Sequence, residues 1–442
     1  MPVLSSSEIG LSEAHALSRR ADSDAPSLPA CQSLTALDRW YRSLVMQRLA
    51  SISTGQLTLT DGAGSQTHGS ADSPLRAQVW IHAPRFYRRM VWGGSLGAAE
   101  SYLDGDWSTD DLTTTMRILA RQASTLNDIE GRWSRLWEPV RAACDWRRWN
   151  TPARSRRNIS AHYDLSNAFF ALMLDPTMTY SSGIFPTPES SLQEASLAKY
   201  EQVCRKLDLK PEDHVLEVGC GWGGFASYAA SRYGCRVTAT TISQEQLSFA
   251  RDRIQREGLQ DRVTLLQEDY RHLRGQYDKL VSIEMIEAVG ERFLNTYFGC
   301  CSRLLRADGM MVLQAITIPD HRYDRYRRSV DFINQYIFPG GFLPSVAAIG
   351  QSLRYATDFR LFHLEDFGVH YARTLACWRE RMRQADREIR ALGFDDRFFR
   401  TWEYHLCYCE AGFEERQIGV SQWVLTKPLC RREPVLVSFA ST

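Results

Sequence analysis

Residues 215–230 read "VLEVGCGWGGFASYAA". An apolar run meets four glycines within six residues, and helix formers follow. That order predicts a buried strand, a turn of nearly bare backbone and the first turn of a helix. Glycine permits positive φ and lets a ligand press on the main chain. The helix that follows presents free N–H groups. In an open α/β sheet such a turn stands at the carboxyl edge, where ligands bind.

The glycines alone do not choose the ligand. Gly219, Gly221 and Gly224 satisfy G-x-G-x-x-G, the dinucleotide pattern. Their neighbours point elsewhere. Trp222 is bulky where a pyrophosphate cradle favours something small, and Glu217 fits poorly beside phosphates. The second strand ends "TATTIS", without the acid that a nicotinamide cofactor's ribose usually meets there. Glu217 suits a cofactor that carries an ammonium group, such as S-adenosylmethionine. The stretch 241–246 follows where the ribose lies, and Glu268, Asp269 and Tyr270 follow the third strand, where an acid and a ring bracket an adenine.

Outward from this loop, strands are expected at 214–220, 236–241, 263–268, 279–285 and 310–316. Helices are expected at 243–257 and 291–305. Alternation of this kind predicts a parallel sheet with right-handed crossovers. An insertion at 319–353 precedes two further strand-like stretches, "RLFHLEDFG" and "SQWVLTKP".

Composition sets the frame. The 442 residues exceed one typical domain, and 44% hydrophobic with 24% charged residues is ordinary globular text. A net charge of +1 argues against nucleic acid as a partner of the whole chain. The eleven cysteines show no CxxC pair, so neither zinc nor a disulfide framework is expected. No apolar run approaches the ~20 residues that cross a bilayer. The start of the chain lacks a signal-peptide pattern.

Five divisions follow: a disordered tail at 1–34, a small mixed α/β domain at 35–140, a basic linker at 141–158, the main domain at 159–430 and a tail at 431–442. In the small domain, "LTALDRWYRSLVMQRLASI" has helical spacing. "GQLTLTDG" and "LRAQVWIHAPRFYRRM" alternate like strands. "GGSLGAAESYLDGDWSTDDLTTTMRILARQ" reads as a turn, a helix, a Gly-Asp break and an Asp-capped helix.

Together "HYDLSNAFFALMLDPTMTYSSGIF", "VLEVGCGWGGFASYAA", "TTISQEQ", "EDYRHL", "YDKLVSIEMIEAVG" and "DFINQYIFPGGFLPS" resemble the cyclopropane-fatty-acyl-phospholipid synthases. "GGSLGAAESYLDGDW" is similar to that family's small N-terminal domain, and "EMIEAVG" resembles its plant members. The resemblance implies a Rossmann-like class I S-adenosylmethionine-dependent methyltransferase domain with lipid-contacting insertions. It implies transfer of a methyl group to a cis double bond of an unsaturated phospholipid acyl chain, with proton loss closing a cyclopropane ring. A paralogue of such an enzyme would yield a methyl- or methylene-branched chain; a non-catalytic S-adenosylmethionine- or lipid-binding protein is a third reading.

For the cofactor, the resemblance implies His162, Tyr163, Tyr180, Ser181, Glu217, Gly219, Cys220, Gly221, Thr241, Ile242, Ser243, Gln246, Asp269 and Tyr270. For catalysis it implies bicarbonate as base, held by Glu287, Tyr371 and the backbone of Ile316. Gln314 stands where bacterial members carry His, Ser182 where they carry Cys, and Ala288 where His commonly follows the Glu. Cys409 matches a cysteine often assigned to the active site, although methyl transfer to an alkene needs no covalent enzyme intermediate. A carbocation needs aromatic faces, for which Tyr180, Phe185, Tyr336, Phe338 and Tyr371 are candidates.

An insoluble substrate requires a membrane surface and basic patches. Three are candidates: 147–157 with Trp146 and Trp149, the arginines from Arg322 to Arg328, and Arg85, Arg88 and Arg89 beside Phe86 and Tyr87. The expected location is the cytoplasm, peripheral to the membrane, with a homodimer by analogy to the family.

Overall fold

The computed structural model describes residues 33–122 and 166–434. His162, Tyr163 and the basic stretch 147–157 lie outside the described residues.

The main sheet has seven strands. In chain order with the small domain's four counted first, they are β5 (His214–Val218), β6 (Arg236–Thr240), β7 (Val263–Leu266), β8 (Tyr277–Ile283), β9 (Leu305–Thr317), β10 (Arg360–Asp366) and β11 (Gly419–Thr426). Their spatial order is β10-β11-β9-β8-β5-β6-β7. The five expected strands all form and run parallel. The two later strand-like stretches also form strands, and they run antiparallel: β11 pairs with β9, and β10 with β11.

Alternate residues of each central strand serve opposite faces. Leu216, Leu280, Met311, Leu313 and Trp423 pack with Tyr297 and Phe298 on one face. Val215, Val281, Val312 and Val424 pack with Tyr200, Val203 and Phe225 on the other. Burial on both faces explains why these strands read as continuous apolar runs. The helix Leu192–Leu207 starts on a capping box between Ser191 and Glu194. Gln244–Arg256 starts on Ser243.

The strand order reverses beside β5, whose neighbours are β6 and β8. The glycine loop leaves β5 at this switch point, the usual site for a ligand.

The small domain carries strands in the order β2-β1-β3-β4: β1 (Gln56–Asp61), β2 (Gly64–Gly69), β3 (Arg76–Ile81) and β4 (Trp107–Thr109). Two expectations fail here. "RFYRRM" is not strand, because Pro84 opens a helix over Arg85–Leu103 that buries Phe86 and Tyr87. Gly93–Gly94 is not a free turn but a kink inside that helix, with Gly94 at φ 57° and ψ −136°. The expected cap does form, with the Asp111 side chain accepting from Thr114 N–H.

The small domain is not a separate core. Phe332, Ile337, Tyr404, Cys407 and Ala411 of the main domain belong to its hydrophobic cluster. Tyr102 hydroxyl donates to Glu403 at 2.7 Å, and Tyr336 hydroxyl to Glu100 at 2.8 Å. Arg117 and Arg121 meet Glu415 at 2.7 and 2.6 Å. Much of this contact comes from the helix Asp396–Glu414, which with Gly368–Gln384 forms a pair of long helices between β10 and β11. They also supply one wall of the site.

Candidate active site

A cavity of about 1430 Å³ opens at the carboxyl edge of the sheet. Its walls come from the glycine loop, the ends of β6, β7 and β8, the two long helices, the insertion after β9 and the small domain.

At the cofactor end the geometry follows from glycine. Gly219 and Gly221 hold φ of 87° and 52°. A Cβ on Gly219 would stand 2.7 Å from Met285 Cγ, whereas Gly221 faces open space. Trp222 wedges the loop into the core. It is buried, packs on Phe170 at 5.0 Å, and donates from Nε1 to Asn167 at 2.8 Å. Arg253 clamps the loop by donating to the Trp222, Thr177 and Pro176 carbonyls at 3.1, 2.7 and 2.9 Å.

Glu217 lies beneath the loop, and its Oε2 has no hydrogen-bond partner among the described residues. Burial pushes its carboxyl up to about 8. Lys199, also buried and unforeseen in the sequence, donates to Ser181 Oγ at 2.7 Å and is pulled down to about 8 by desolvation. An orphaned carboxyl oxygen and a buried ammonium fit the two poles of a methionine end, ammonium to Glu217 and carboxylate to Lys199 and Ser181.

Thr241, Ile242, Gln246, Cys220, Asp269 and Tyr270 also line this end. Thr241 hydroxyl donates to Gln246 Oε1 at 2.8 Å, which leaves the Gln246 amide nitrogen for a ligand hydroxyl. Asp269 is already held by Arg271 at 2.6 Å, so its charge is matched within the chain. Ser243 does not line the cavity; its side chain caps a helix, accepting from Gln246 N–H at 3.3 Å.

The other end is aromatic. Tyr180 stacks on Trp378 at 5.0 Å and on Phe338 at 6.3 Å. Tyr371 stacks on Phe413 at 4.5 Å and meets Trp378 edge-on at 6.1 Å. Phe185 and Tyr336 are not part of this box. Phe185 is covered by Arg373 at 3.9 Å, and Tyr336 joins the insertion to the small domain. Trp378, Phe413 and His405 were not anticipated: the resemblance marks Tyr371 and Cys409 on these two helices, and nothing in the local sequence singles out their neighbours.

The largest departure concerns the acids. Glu287 does not meet Tyr371. Its Oε1 accepts from Ile316 N–H at 2.6 Å, and Oε2 has no partner among the described residues. Burial, then the nearby charge of Glu284, pushes Glu287 up to about 8. Glu284 takes the central place. Its Oε2 accepts from Tyr371 hydroxyl at 2.6 Å; its Oε1 accepts from Gln314 Nε2 at 2.7 Å and Ser182 N–H at 2.9 Å. Glu284 adopts φ 49°, uncommon for a residue with a side chain, and this turns the carboxylate inward at the end of β8.

The donors expected to hold bicarbonate are therefore engaged by two carboxylates of the chain itself. A free bicarbonate would find the Ile316 N–H and the Tyr371 hydroxyl already taken and would meet the Glu284 carboxylate as a second anion, so the residues present do not fit it. Gln314 is fully buried behind Glu284 and does not line the cavity. Cys409 lines the cavity, but burial pushes its thiol up, away from thiolate.

A glycine turn at a switch point, an orphaned acid beneath it and a lysine beside it define the cofactor end of a class I methyltransferase. Comparison with known proteins agrees. Residues 150–423 match the family model for mycolic acid cyclopropane synthetase. Tuberculostearic acid methyltransferase UfaA1 of Mycobacterium tuberculosis is 39% identical over 406 residues, covering 89% of this chain and 92% of that protein. Cyclopropane-fatty-acyl-phospholipid synthase of Escherichia coli is 37% identical over 393 residues, covering 88% and 94%. The solved mycolic acid cyclopropane synthase CmaA1, complexed with SAH and CTAB, superposes with a TM-score of 0.58 at 32% identity, covering 62% of this chain and 98% of that one. The chain belongs to the mycolic acid cyclopropane synthetase family. It is an S-adenosylmethionine-dependent methyltransferase of the cyclopropane synthase type.

Proposed function

We propose that the enzyme methylates the cis double bond of unsaturated acyl chains in membrane phospholipids and closes a cyclopropane ring, with Glu284 as the proton acceptor. The observation that supports this is the Glu284 carboxylate, held by three donors inside an aromatic cavity. Bound on the glycine loop, S-adenosylmethionine supplies an electrophilic methyl group on a sulfonium sulfur. Tyr180, Trp378, Phe338 and Phe413 wall the space in which the alkene becomes a cation. Each aromatic face stabilises such a charge by ~0.5–2 kcal/mol. The walls exclude water, which would otherwise trap the cation. Glu284 then takes a proton from the newly attached carbon, and the C–H electron pair forms the third ring bond.

A second product remains in view because the base belongs to the chain. A fixed carboxylate selects which proton it reaches. Removal from a neighbouring chain carbon leaves a methyl-branched alkene instead, and a hydride shift onto the cation before the methyl group loses its proton gives a methylene branch; either is in keeping with the methyltransferase relative.

The substrate places the enzyme at a lipid surface. Among the described residues no helix is long and apolar enough to cross a membrane. Leu37, Trp40 and Trp92 are 58%, 54% and 58% exposed on the small domain, and Trp92 also lines the cavity. They suit insertion among headgroups better than the arginine patches do. Arg85 and Arg89 are tied to Asp106 and Asp104, and Phe86 and Tyr87 are buried. Arg327 is tied to Glu291.

The test incubates the full chain with vesicles of unsaturated phospholipid and methyl-labelled S-adenosylmethionine. The expected product is an acyl chain heavier by one methylene, with no alkene left. Label in a chain that retains an alkene favours the branched product. Absence of lipid label defeats both readings.

A further inference from the structure

Behind Glu284, a row of polar side chains crosses the sheet in register. Ile283 of β8 is paired with Gln314 of β9, and Glu284 N–H donates to the Gln314 carbonyl at 2.8 Å. Gln314 is paired with Gln422 of β11, and Gln422 with Glu365 of β10. Lys206, from the helix Leu192–Leu207, reaches this row from the adjoining layer. Its Nζ donates to Gln422 Oε1 at 2.6 Å and to Glu365 Oε2 at 2.5 Å.

The row has a direction. An ammonium group only donates. Lys206 therefore fixes Gln422 with its carbonyl toward the lysine and its amide nitrogen toward Gln314, where Nε2 donates to Oε1 at 2.9 Å. Gln314 is fixed in turn, with its amide nitrogen on Glu284 Oε1 at 2.7 Å. Reversing Gln422 would set NH2 against ammonium and carbonyl against carbonyl, and reversing Gln314 would set NH2 against NH2 and carbonyl against carboxylate. Every link thus ends by offering a hydrogen to one carboxylate.

We propose that Lys206 and Gln422 are positioning residues that keep Glu284 ionised, oriented and ready to accept a proton. This rests on the reading of Glu284 as the base. Two glutamines with no exposed surface, and a lysine with 4%, are costly in a core that apolar residues would fill. A directed chain that ends on the site's carboxylate accounts for that cost. Amides do not readily pass a net proton, so the row acts through charge and geometry rather than as a proton wire. Three further groups bear on Glu284: Tyr371 by its hydrogen bond, Lys199 by its positive charge, and Glu287 as a neighbouring acid. Burial pushes Glu284 up, and its hydrogen bonds with the Lys199 charge pull it back.

The test is the pH profile of kcat for label transfer to unsaturated vesicles, in the full-length wild type, Lys206→Met, Gln422→Leu and Lys206→Arg. Calorimetric affinity for S-adenosylhomocysteine is measured in each. The Lys206 charge is matched by Glu365, so its loss acts through the row: Gln422 and Gln314 become free to turn, the hydrogen bond to Glu284 weakens, the carboxylate is harder to form, and the acid limb should move to higher pH by about one unit in Lys206→Met. Gln422→Leu should move it the same way, and Lys206→Arg should restore it. S-adenosylhomocysteine affinity should stay within about threefold, which corresponds to well under one kcal/mol. Should Lys206→Met not fold, Gln422→Leu decides, since it keeps Lys206 paired with Glu365. An acid limb that stays in place, or affinity that falls in step with kcat, overturns the proposal. If Glu284 is not the base, the result differs: Glu284→Gln then retains the wild-type acid limb.

Discussion

The two ends of the cavity are built in different ways. The cofactor end comes from contiguous text: one strand, one glycine turn and one helix start, with Glu217 and Gly219 two residues apart. The chemical end is assembled from single side chains on β8, β9, the Tyr180–Ser182 stretch and the two late helices. A local segment can be recognised by its pattern, because the backbone conformation itself performs the function. A constellation drawn from distant segments leaves no pattern in any one of them.

That contrast yields experiments that would sharpen or break it. The largest effect is expected from Glu284→Gln, which keeps the shape and removes the base. Turnover should fall by ~10²–10⁴-fold, with S-adenosylhomocysteine affinity nearly unchanged in calorimetry. A comparable loss of affinity would mean that the two ends are not separable.

Glu217→Gln should do the reverse. Affinity for S-adenosylhomocysteine should drop by roughly tenfold or more, as expected for one charge-assisted hydrogen bond. The wild type should also release a proton on binding near neutral pH. Glu217 sits at about 8 when alone, and an ammonium partner pulls it down. Calorimetry in buffers of different ionisation enthalpy reads that proton, and the variant should release none from this site.

Next comes stability against pH. Glu287 is held at about 8 against an ordinary 4.5, with burial as the main cause. The folded chain therefore binds more protons than the unfolded one between these values. Its stability is fully present below the lower value and is lost as pH rises through the upper one. Thermal midpoints should decline over that window, and less so in Glu287→Gln. Equal slopes would show that Glu287 does not carry this proton.

The smallest effect is expected from Cys409→Ser. Its thiol is pushed up by burial and takes no part in the proposed chemistry, so activity should fall by less than about threefold. A loss as large as that of Glu284→Gln would restore a catalytic cysteine.

Much of the fold was legible in the text. The five parallel strands and their intervening helices follow from apolar runs, glycine turns and capping residues. The antiparallel pair β10 and β11 was visible as strand, but its direction was not, since it depends on the long helical excursion between the two. That excursion, 367–418, carries Tyr371, Trp378, His405 and Phe413. Of these four, the resemblance assigns a role only to Tyr371.

In "SIEMIEAVG" the resemblance favours Glu287, whereas the geometry favours Glu284. Both acids stand at the end of one strand, and the difference between them is a left-handed φ of 49° at Glu284. A regular strand through 285 would have turned that side chain elsewhere. The lysine at 199 was hidden for a simpler reason. Within "EASLAKYEQVC" it reads as the solvated face of a helix, and only the packed structure puts it beside Glu217 and Ser181.

The central claim is that a carboxylate of the chain stands where a free anion was expected. The direct measurement is methyl transfer to unsaturated vesicles in buffer stripped of carbon dioxide, with and without added bicarbonate, for the wild type and for Glu284→Ala. The account predicts a wild-type rate that is the same in both buffers, and a Glu284→Ala rate that is low and partly restored by bicarbonate. A wild-type rate that collapses without bicarbonate and returns on its addition would contradict it.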